Sequence, residues 1–455
     1  MKAVPPRRLL AAALCAAGLF VSLPARAETL ADALISAYRN SNLLDQNRAV
    51  LRAADEDVAS AVAALRPVLQ WVAEVDLADT AQANGLLSSL SLQGQVMLFD
   101  FGRSRIGIDI AKESVLATRQ ALVGVEQSVL LGAVQAYFGV RSAVENVAIN
   151  ENSVRVVNEF VRATQDQFDV GEVTRTDVAQ AEARLAAARA GLAAAQGQLA
   201  AAREAYNAAT GHYPAPLAVA PRAPALPKSP DAAREIALRS HPAILQAQHQ
   251  AKVADMQISR AAAQRMPELT GSVALSKNAE GRVDTGVAAI ELSQTIYSGG
   301  ALAAGHRKAI AGRDAARAGL LQASVQVAQD VGNRWADIDV ARAQISATDR
   351  QIEAATIAYE GVKEEAKLGA RTTLDVLNAE QELLDARAAR ISAEADLQIA
   401  NYSLLAAMGL LTAEHLNLGI PTYDPEAYYN AVKNAPATSV QGKSLDRVLR
   451  AIGRN

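Results

Sequence analysis

The sequence has almost no cysteine. Its single copy, Cys15, lies in an N-terminal stretch that reads as a removable leader, so the mature chain carries neither disulfides nor thiolate chemistry. Aromatic residues make up only 4% of 455 residues, too few for a thick globular core. Alanine fills long stretches instead, which favours extended helices. An excess of one charge is missing too. The net charge is −3 and the basic residues are scattered, so no nucleic-acid-binding face is expected. His212, His241, His249, His306 and His415 form neither an HExxH motif nor a Cys/His ligand set. There is no GxSxG. Gln441-Gly442-Lys443-Ser444 fails as a phosphate loop because Ala437 stands where its first glycine belongs. The chain therefore reads as a non-enzyme with no catalytic, cofactor-binding or metal-binding residues.

Lys2, Arg7 and Arg8 precede an apolar run from Leu9 to Leu23, and Ala25-Arg26-Ala27 has the small-x-small form of a signal peptidase site. Residues 1–27 read as a signal peptide and the mature chain starts near Glu28. The run falls short of the ~20 residues a membrane-spanning helix needs, which argues against an anchor. Leu14 beside Cys15 argues against a lipoprotein. No other run reads as a transmembrane helix.

A helical pattern covers Thr29 to Arg66, opened by a Thr29/Asp32 capping box and closed by Pro67. The period then changes to two. Leu69, Trp71, Ala73, Val75 and Leu77 alternate with Gln70, Val72, Glu74 and Asp76, a strand with one apolar face. After a loop at 79–85, Leu90, Leu92, Gly94, Val96 and Leu98 alternate with Ser91, Gln93, Gln95, Met97 and Phe99. Asp100-Phe101-Gly102 leads into an unbroken helical pattern to Val170, ~100 Å long at ~1.5 Å per residue. No compact domain accommodates that length. Gly171 ends it, and a return helix runs from Asp177 to Thr210. Val178, Leu185, Leu192, Leu199 and Tyr206 recur every seventh residue, with Ala181, Ala188, Ala195, Ala202 and Ala209 between them. This is a coiled-coil seam with one small side. Gly211 stops the helix.

The plan then repeats. Prolines dominate 212–230. A helix covers 231–265, strand alternation follows Pro267, and a loop lies at 278–286. Ile290, Leu292 and Ile296 continue the alternation. Ser298-Gly299-Gly300 opens a second uninterrupted helix to Leu368. Gly102/Gly300, Tyr137/Trp335, Gly171/Gly369, Asp177/Asp375 and Gly211/Gly409 all share one offset of 198 residues, the mark of an internal duplication. The second seam, Val376, Leu383, Arg390, Leu397 and Leu404, is broken only by Arg390, which is expected to snorkel or to pair with an acid on a neighbouring helix. The domains are therefore a signal peptide (1–27), a first repeat (28–211), a proline-rich linker (212–230), a second repeat (231–410) and a C-terminal segment (411–455).

Four strands of about ten residues suit a tilted bilayer crossing, yet unpaired strand edges are not tolerated in lipid. Four strands cannot close a barrel, since eight is about the practical minimum, so several protomers must share one. A soluble sheet edge would leave the long helices unpacked. A periplasmic adaptor or coiled-coil stalk shares the long hairpins but needs a compact β-rich domain rather than two membrane-length strand pairs.

The duplication, the strand-to-helix signals LFDFGR and IYSGGA, and the return-helix openings TRTDV and TTLDVLNAEQ resemble the TolC-like outer-membrane channel proteins of Gram-negative bacteria, over essentially the whole mature chain. The segment LTAEHLNLGIPTYDPEAYYNAV is similar to members serving type I secretion. The resemblance implies a mainly α fold with a small membrane β part. Three duplicated protomers would form a twelve-stranded barrel in the outer membrane, continued by a long α-helical coiled-coil tunnel across the periplasm. The short helices would stack end to end on the return helices, and the linker and C-terminal segment would wrap the tunnel's middle. The implied function is the exit duct of a tripartite export system for proteins, small molecules or both. Its implied partners are a periplasmic adaptor (membrane fusion) protein, an inner-membrane transporter of ABC or other efflux type, and outer-membrane lipid.

Thr174/Asp177 and Thr372/Asp375 fit capping boxes whatever their further role. By resemblance, Asp375 belongs to an acidic ring at the periplasmic gate, and Arg371, Thr176 and Asp177 to a network tying the coils together. The pattern is incomplete: Asn378 replaces the second ring aspartate, and Ala366 replaces the network tyrosine. A thinner ring and a weaker latch follow. Gly171 and Gly369 are expected as C-cap glycines at positive φ, on turns that meet the adaptor. Trp71, Tyr297 and Phe99 are candidates for interfacial belt aromatics or for packing at the barrel base.

Overall fold

The computed structural model describes residues 27–80, 83–219, 223–278 and 284–434. The leader through Arg26, Pro221 of the linker, and the tail beyond Asn434, with Gln441–Ser444, lie outside the described residues. The helices are α1 (Leu30–Asn40), α2 (Asn42–Ala63), α3 (Arg103–Asp169), α4 (Arg175–Thr210), α5 (Pro230–Ser240), α6 (Pro242–Ala263), α7 (Ala301–Lys367), α8 (Thr373–Ala407) and α9 (Pro425–Val432). The strands are β1 (Val68–Thr80), β2 (Ala83–Phe99), β3 (Glu268–Asn278) and β4 (Asp284–Ser293). Both long helices, α3 and α7, have 67 residues and lie 198 residues apart at each end.

Two expected helices are in fact broken pairs. Ser41 takes an extended backbone and its Oγ caps α2 by accepting from the Leu44 amide at 3.2 Å. Pro242 occupies the first turn of α6, where its missing N–H and fixed φ end α5. The breaks seat the ends of the return helices. Asn40 Nδ2 donates to the Thr210 carbonyl at 2.8 Å, and Ser240 Oγ donates to that of Met408 at 3.0 Å. So α2 and α4 cover successive lengths of α3, and α6 and α8 cover successive lengths of α7. Gly409 (φ 78°) is required at its junction, because a Cβ there would stand 2.8 Å from His241 Cα.

These junctions lie in the main core, a belt that includes Leu30, Leu44, Leu130, Val134, Tyr137, Phe138, Tyr206, Leu404 and Met408. The proline-rich stretch is less irregular than expected. Glu28 bridges in parallel to Leu217, and its buried carboxylate accepts from the Tyr206 hydroxyl at 2.5 Å and the Ala215 amide at 3.1 Å. One part of α3 is apolar enough to cross a membrane by composition, contrary to expectation. Leu130, Ala133, Val134, Tyr137 and Phe138 on this helix are core residues, and 33% of the apolar stretch is buried.

The four strands form one antiparallel sheet in the order β1-β2-β3-β4, so β1 and β4 both present unpaired edges. The strands run further into the expected loops at 79–85 and 278–286, because ladder pairing is satisfied whatever the side chains' polarity. Strand β4 stops at Ser293, leaving Ile296 and Tyr297 beyond it. Register sorts the side chains by face. Leu69, Gly94, Val273 and Ala288 share one rung and Trp71, Leu92, Leu275 and Gly286 another, while Val72, Ser91, Ser276 and Thr285 share a rung on the opposite face. A register shift between Met97 and Phe99 sets Phe99 opposite Leu269, on the apolar face rather than with Met97.

The C-terminal segment straps α2 and α3. The Tyr423 amide donates to the Tyr38 hydroxyl at 3.2 Å, the Tyr428 hydroxyl donates to Glu56 at 2.8 Å, and the Arg119 guanidinium lies 5.4 Å from the centre of the Tyr429 ring. Beside this strap Asp55 is fully buried, and neither carboxylate oxygen has a hydrogen-bond partner among the described residues. Burial pushes its pKa up to about 6, against the pull of Arg119, with Glu56 adding a smaller push. The folded state thus keeps a proton that the unfolded chain releases near pH ~4. Stability falls as pH rises from about 4 to about 6, and the cost persists above that. Asp55→Asn is expected to stabilise by about 1–3 kcal/mol at pH 7.5 and to change little at pH ~4. Thermal unfolding of detergent-solubilised protein at the two pH values checks this, and equal shifts at both would refute it.

Candidate functional site: the hairpin tips

The two turns share one construction. After α3, the Gly171 amide donates to the Phe168 carbonyl and the Glu172 amide to that of Gln167, both at 2.9 Å. After α7, Gly369 donates to Ala366 at 3.0 Å and Ala370 to Glu365 at 2.9 Å. This paired 5→2 and 6→1 pattern satisfies the last helical carbonyls and requires a left-handed residue, here Gly171 (φ 82°) and Gly369 (φ 76°). Ala366 contributes its carbonyl to the cap.

Three residues later each return helix opens with a closed capping box. The Thr174 amide and hydroxyl donate to Asp177 Oδ2 at 2.9 and 2.7 Å, and the Asp177 amide donates back to Thr174 Oγ1 at 3.4 Å. Thr372 and Asp375 repeat the arrangement at 3.0, 2.8 and 3.2 Å. These bonds from threonine hold both carboxyls below the usual aspartate range. Both caps use Oδ2, and among the described residues Oδ1 of each aspartate accepts no hydrogen bond.

The other expected site residues separate. Arg371 pairs with Glu365 of its own hairpin, Nε to Oε2 at 2.8 Å, and does not reach Thr176 or Asp177 within the chain. Thr176 is exposed on the first turn of α4. Asn378 accepts a 2.8 Å hydrogen bond from Arg184 Nη2 on α4, a partner that sequence reasoning missed. Its only signal was a basic residue flanking the seam position Leu185. Arg390, the one break in the second seam, pairs as expected with an acid on a neighbouring helix: Nε lies 2.5 Å from Asp349 on α7, and Nη2 lies 2.9 Å from Glu394. Val170 and Leu368, at the turns, are exposed, as are Trp71 and Tyr297 at the sheet.

The family model described as outer membrane efflux protein matches residues 34–212 and again 233–410, one match per structural repeat. The chain is 35% identical over 436 residues to the outer membrane efflux protein BepC of Brucella suis, covering 94% of this chain and 96% of that protein. It is 26% identical to the alkaline protease secretion protein AprF of Pseudomonas aeruginosa, over 70% of this chain and 68% of AprF. Among solved structures it superposes on the outer membrane protein VceC of Vibrio cholerae with a TM-score of 0.71 at 22% identity, covering 84% of this chain and 96% of that one.

Gly369→Ala forces a Cβ into the left-handed region in open space, so strain is its only cost, about 1 kcal/mol. Faster amide exchange confined to the α7–α8 turn is expected, with the rest of the chain unchanged.

Proposed function

The chain belongs to the outer membrane efflux protein family, and from that premise we propose that it is the exit duct of a tripartite export system, gated at the hairpin tips. The observation that carries this reading is the sheet. It has one apolar face, one largely polar face and two unpaired edges, and it runs directly into the 67-residue helices α3 and α7. In lipid such edges must pair, and β4 of one protomer on β1 of the next closes twelve strands from three copies. Helix α7 gives the same indication, since it leaves Leu321, Val325, Val340 and Ile357 exposed in a single chain, apolar surface that neighbours would cover. An adaptor or stalk has no use for this sheet.

At the tip, three copies of Asp375 form the acidic ring, while Arg371 meets Thr176 and Asp177 of the adjacent protomer. The Gly171 and Gly369 turns receive a periplasmic adaptor, which joins the duct to an inner-membrane transporter. The cargo comprises small molecules and secreted proteins, a reading supported by the efflux protein name of BepC and the protease secretion name of AprF.

The protein recovered from outer membranes as an SDS-resistant, heat-modifiable trimer should conduct in planar bilayers with cation preference, and Asp375→Asn should lower that preference. Unchanged selectivity removes Asp375 from the constriction, and a soluble monomer removes the shared barrel. Deletion of the gene should both thin the profile of secreted proteins and raise susceptibility to small toxic compounds. Loss of only one of these narrows the cargo to that class.

A further inference from the structure

Arg184 is unexplained by the gate residues above. It lies on α4 ten residues beyond the cap Thr174, ~15 Å up the helix. Its guanidinium crosses to the other hairpin, where Nη2 donates to Asn378 Oδ1 on α8 at 2.8 Å, and its Nε is buried without a partner among the described residues. Glu380, two residues further along α8, is itself buried. Burial pushes the Glu380 carboxyl up, against Ser153, Arg184 and Arg387. A small apolar cluster of Val157, Ala181, Leu185 and Leu377 packs α3, α4 and α8 together in the same region. Among the described residues, Arg184–Asn378 is the side-chain hydrogen bond joining the two hairpins in their tip halves. Arg371 cannot do this within the protomer, because it is paired inside its own hairpin with Glu365.

We propose that Arg184 and Asn378 form the intraprotomer latch that holds the second hairpin against the first, and that the tip opens by parting this pair. The latch rests on the exit-duct reading and assigns its regulation to residues outside the expected network. The neutral acceptor matters. An arginine–asparagine bond at an exposed edge is firm enough to set a resting state and weak enough to release. Arg184 and Asn378 are positioning residues, since their part is to hold the helices that carry the tip.

The test is open probability of the reconstituted protein at rest. Arg184→Ala and Asn378→Ala should each raise it by about three- to tenfold, with the double variant no higher than the larger single. Additive effects, or no effect in either single variant, overturn the latch. Because Arg184 borders an apolar cluster, Asn378→Asp guards against misfolding: it keeps the acceptor, adds a charge and should lower open probability below that of the parent, and a rise there also overturns the proposal. A second readout is independent of conduction. The mature chain has no cysteine, so nitroxides at Glu172→Cys and Ala370→Cys report the separation of the two tips. That distance distribution should broaden in Arg184→Ala at unchanged thermal stability, and an unchanged distribution overturns the latch. A parent protein that never conducts, while the label distances still respond to Arg184→Ala, counts against the exit duct and not against the latch.

Discussion

The backbone of a strand edge carries N–H and C=O groups that hydrocarbon cannot satisfy, and each one left bare costs several kcal/mol. The rest of this architecture follows from that constraint. The sheet has four strands, an apolar face and two open edges, so it is complete only when shared. Once it is shared, the helices have little freedom. Both α3 and α7 leave the sheet through short turns in which Gly102 (φ 82°) and Gly300 (φ 90°) take left-handed conformations. The direction of the strands therefore sets the direction of the long helices, and on the exit-duct reading the tunnel inherits its radius from the barrel.

Long helices in water need partners along their whole length, since isolated helicity is marginal. The alanine side of each return-helix seam meets this need by allowing close approach, and Ala181, Ala195, Ala386 and Ala393 are all buried. The return helices are about half the length of α3 and α7, so something must cover the remainder. The short helices α2 and α6 do so, and their placement requires the breaks at Ser41 and Pro242. The duplication is structural but unequal in its surfaces. Buried residues run along α3 from Ile108 to Thr164, whereas on α7 they are confined to Val327–Thr348. The first repeat builds the protomer's own core, and the second keeps more surface for neighbours.

Much of this was legible in the sequence, because it depends on periodicity. Alternation marked the strands, heptads marked the seams, and glycine three residues before a Thr-x-x-Asp marked each tip. Features that depend on tertiary partners were not legible. Ser41 looks like any polar residue inside a helix until Asn40 is seen bonded to Thr210. The side of the sheet taken by Phe99 depends on a register shift in the ladder between β2 and β3. The Arg184–Asn378 bond joins residues 194 apart, and no local pattern announces such a pair. Pro242 is the exception: its helix-breaking chemistry is local, yet the strong apolar period across 231–265 masked it.

The tip aspartates show why a structural and a functional reading of one residue need not compete. A carboxylate has two oxygens and about four lone-pair directions. In both capping boxes the threonine amide and hydroxyl bond to Oδ2. The cap thus fixes the side chain's rotamer and favours its ionised form, while Oδ1 is left without a hydrogen bond among the described residues. On the exit-duct reading, Asn378 in place of a second ring acid leaves Asp375 to carry that charge, and its cap keeps the charge in one place. Asn378 is then free to accept from Arg184 without drawing the arginine into a tight ion pair. On the exit-duct and latch readings, the loss of one ring charge and the gain of a bond between hairpins are two consequences of a single side chain.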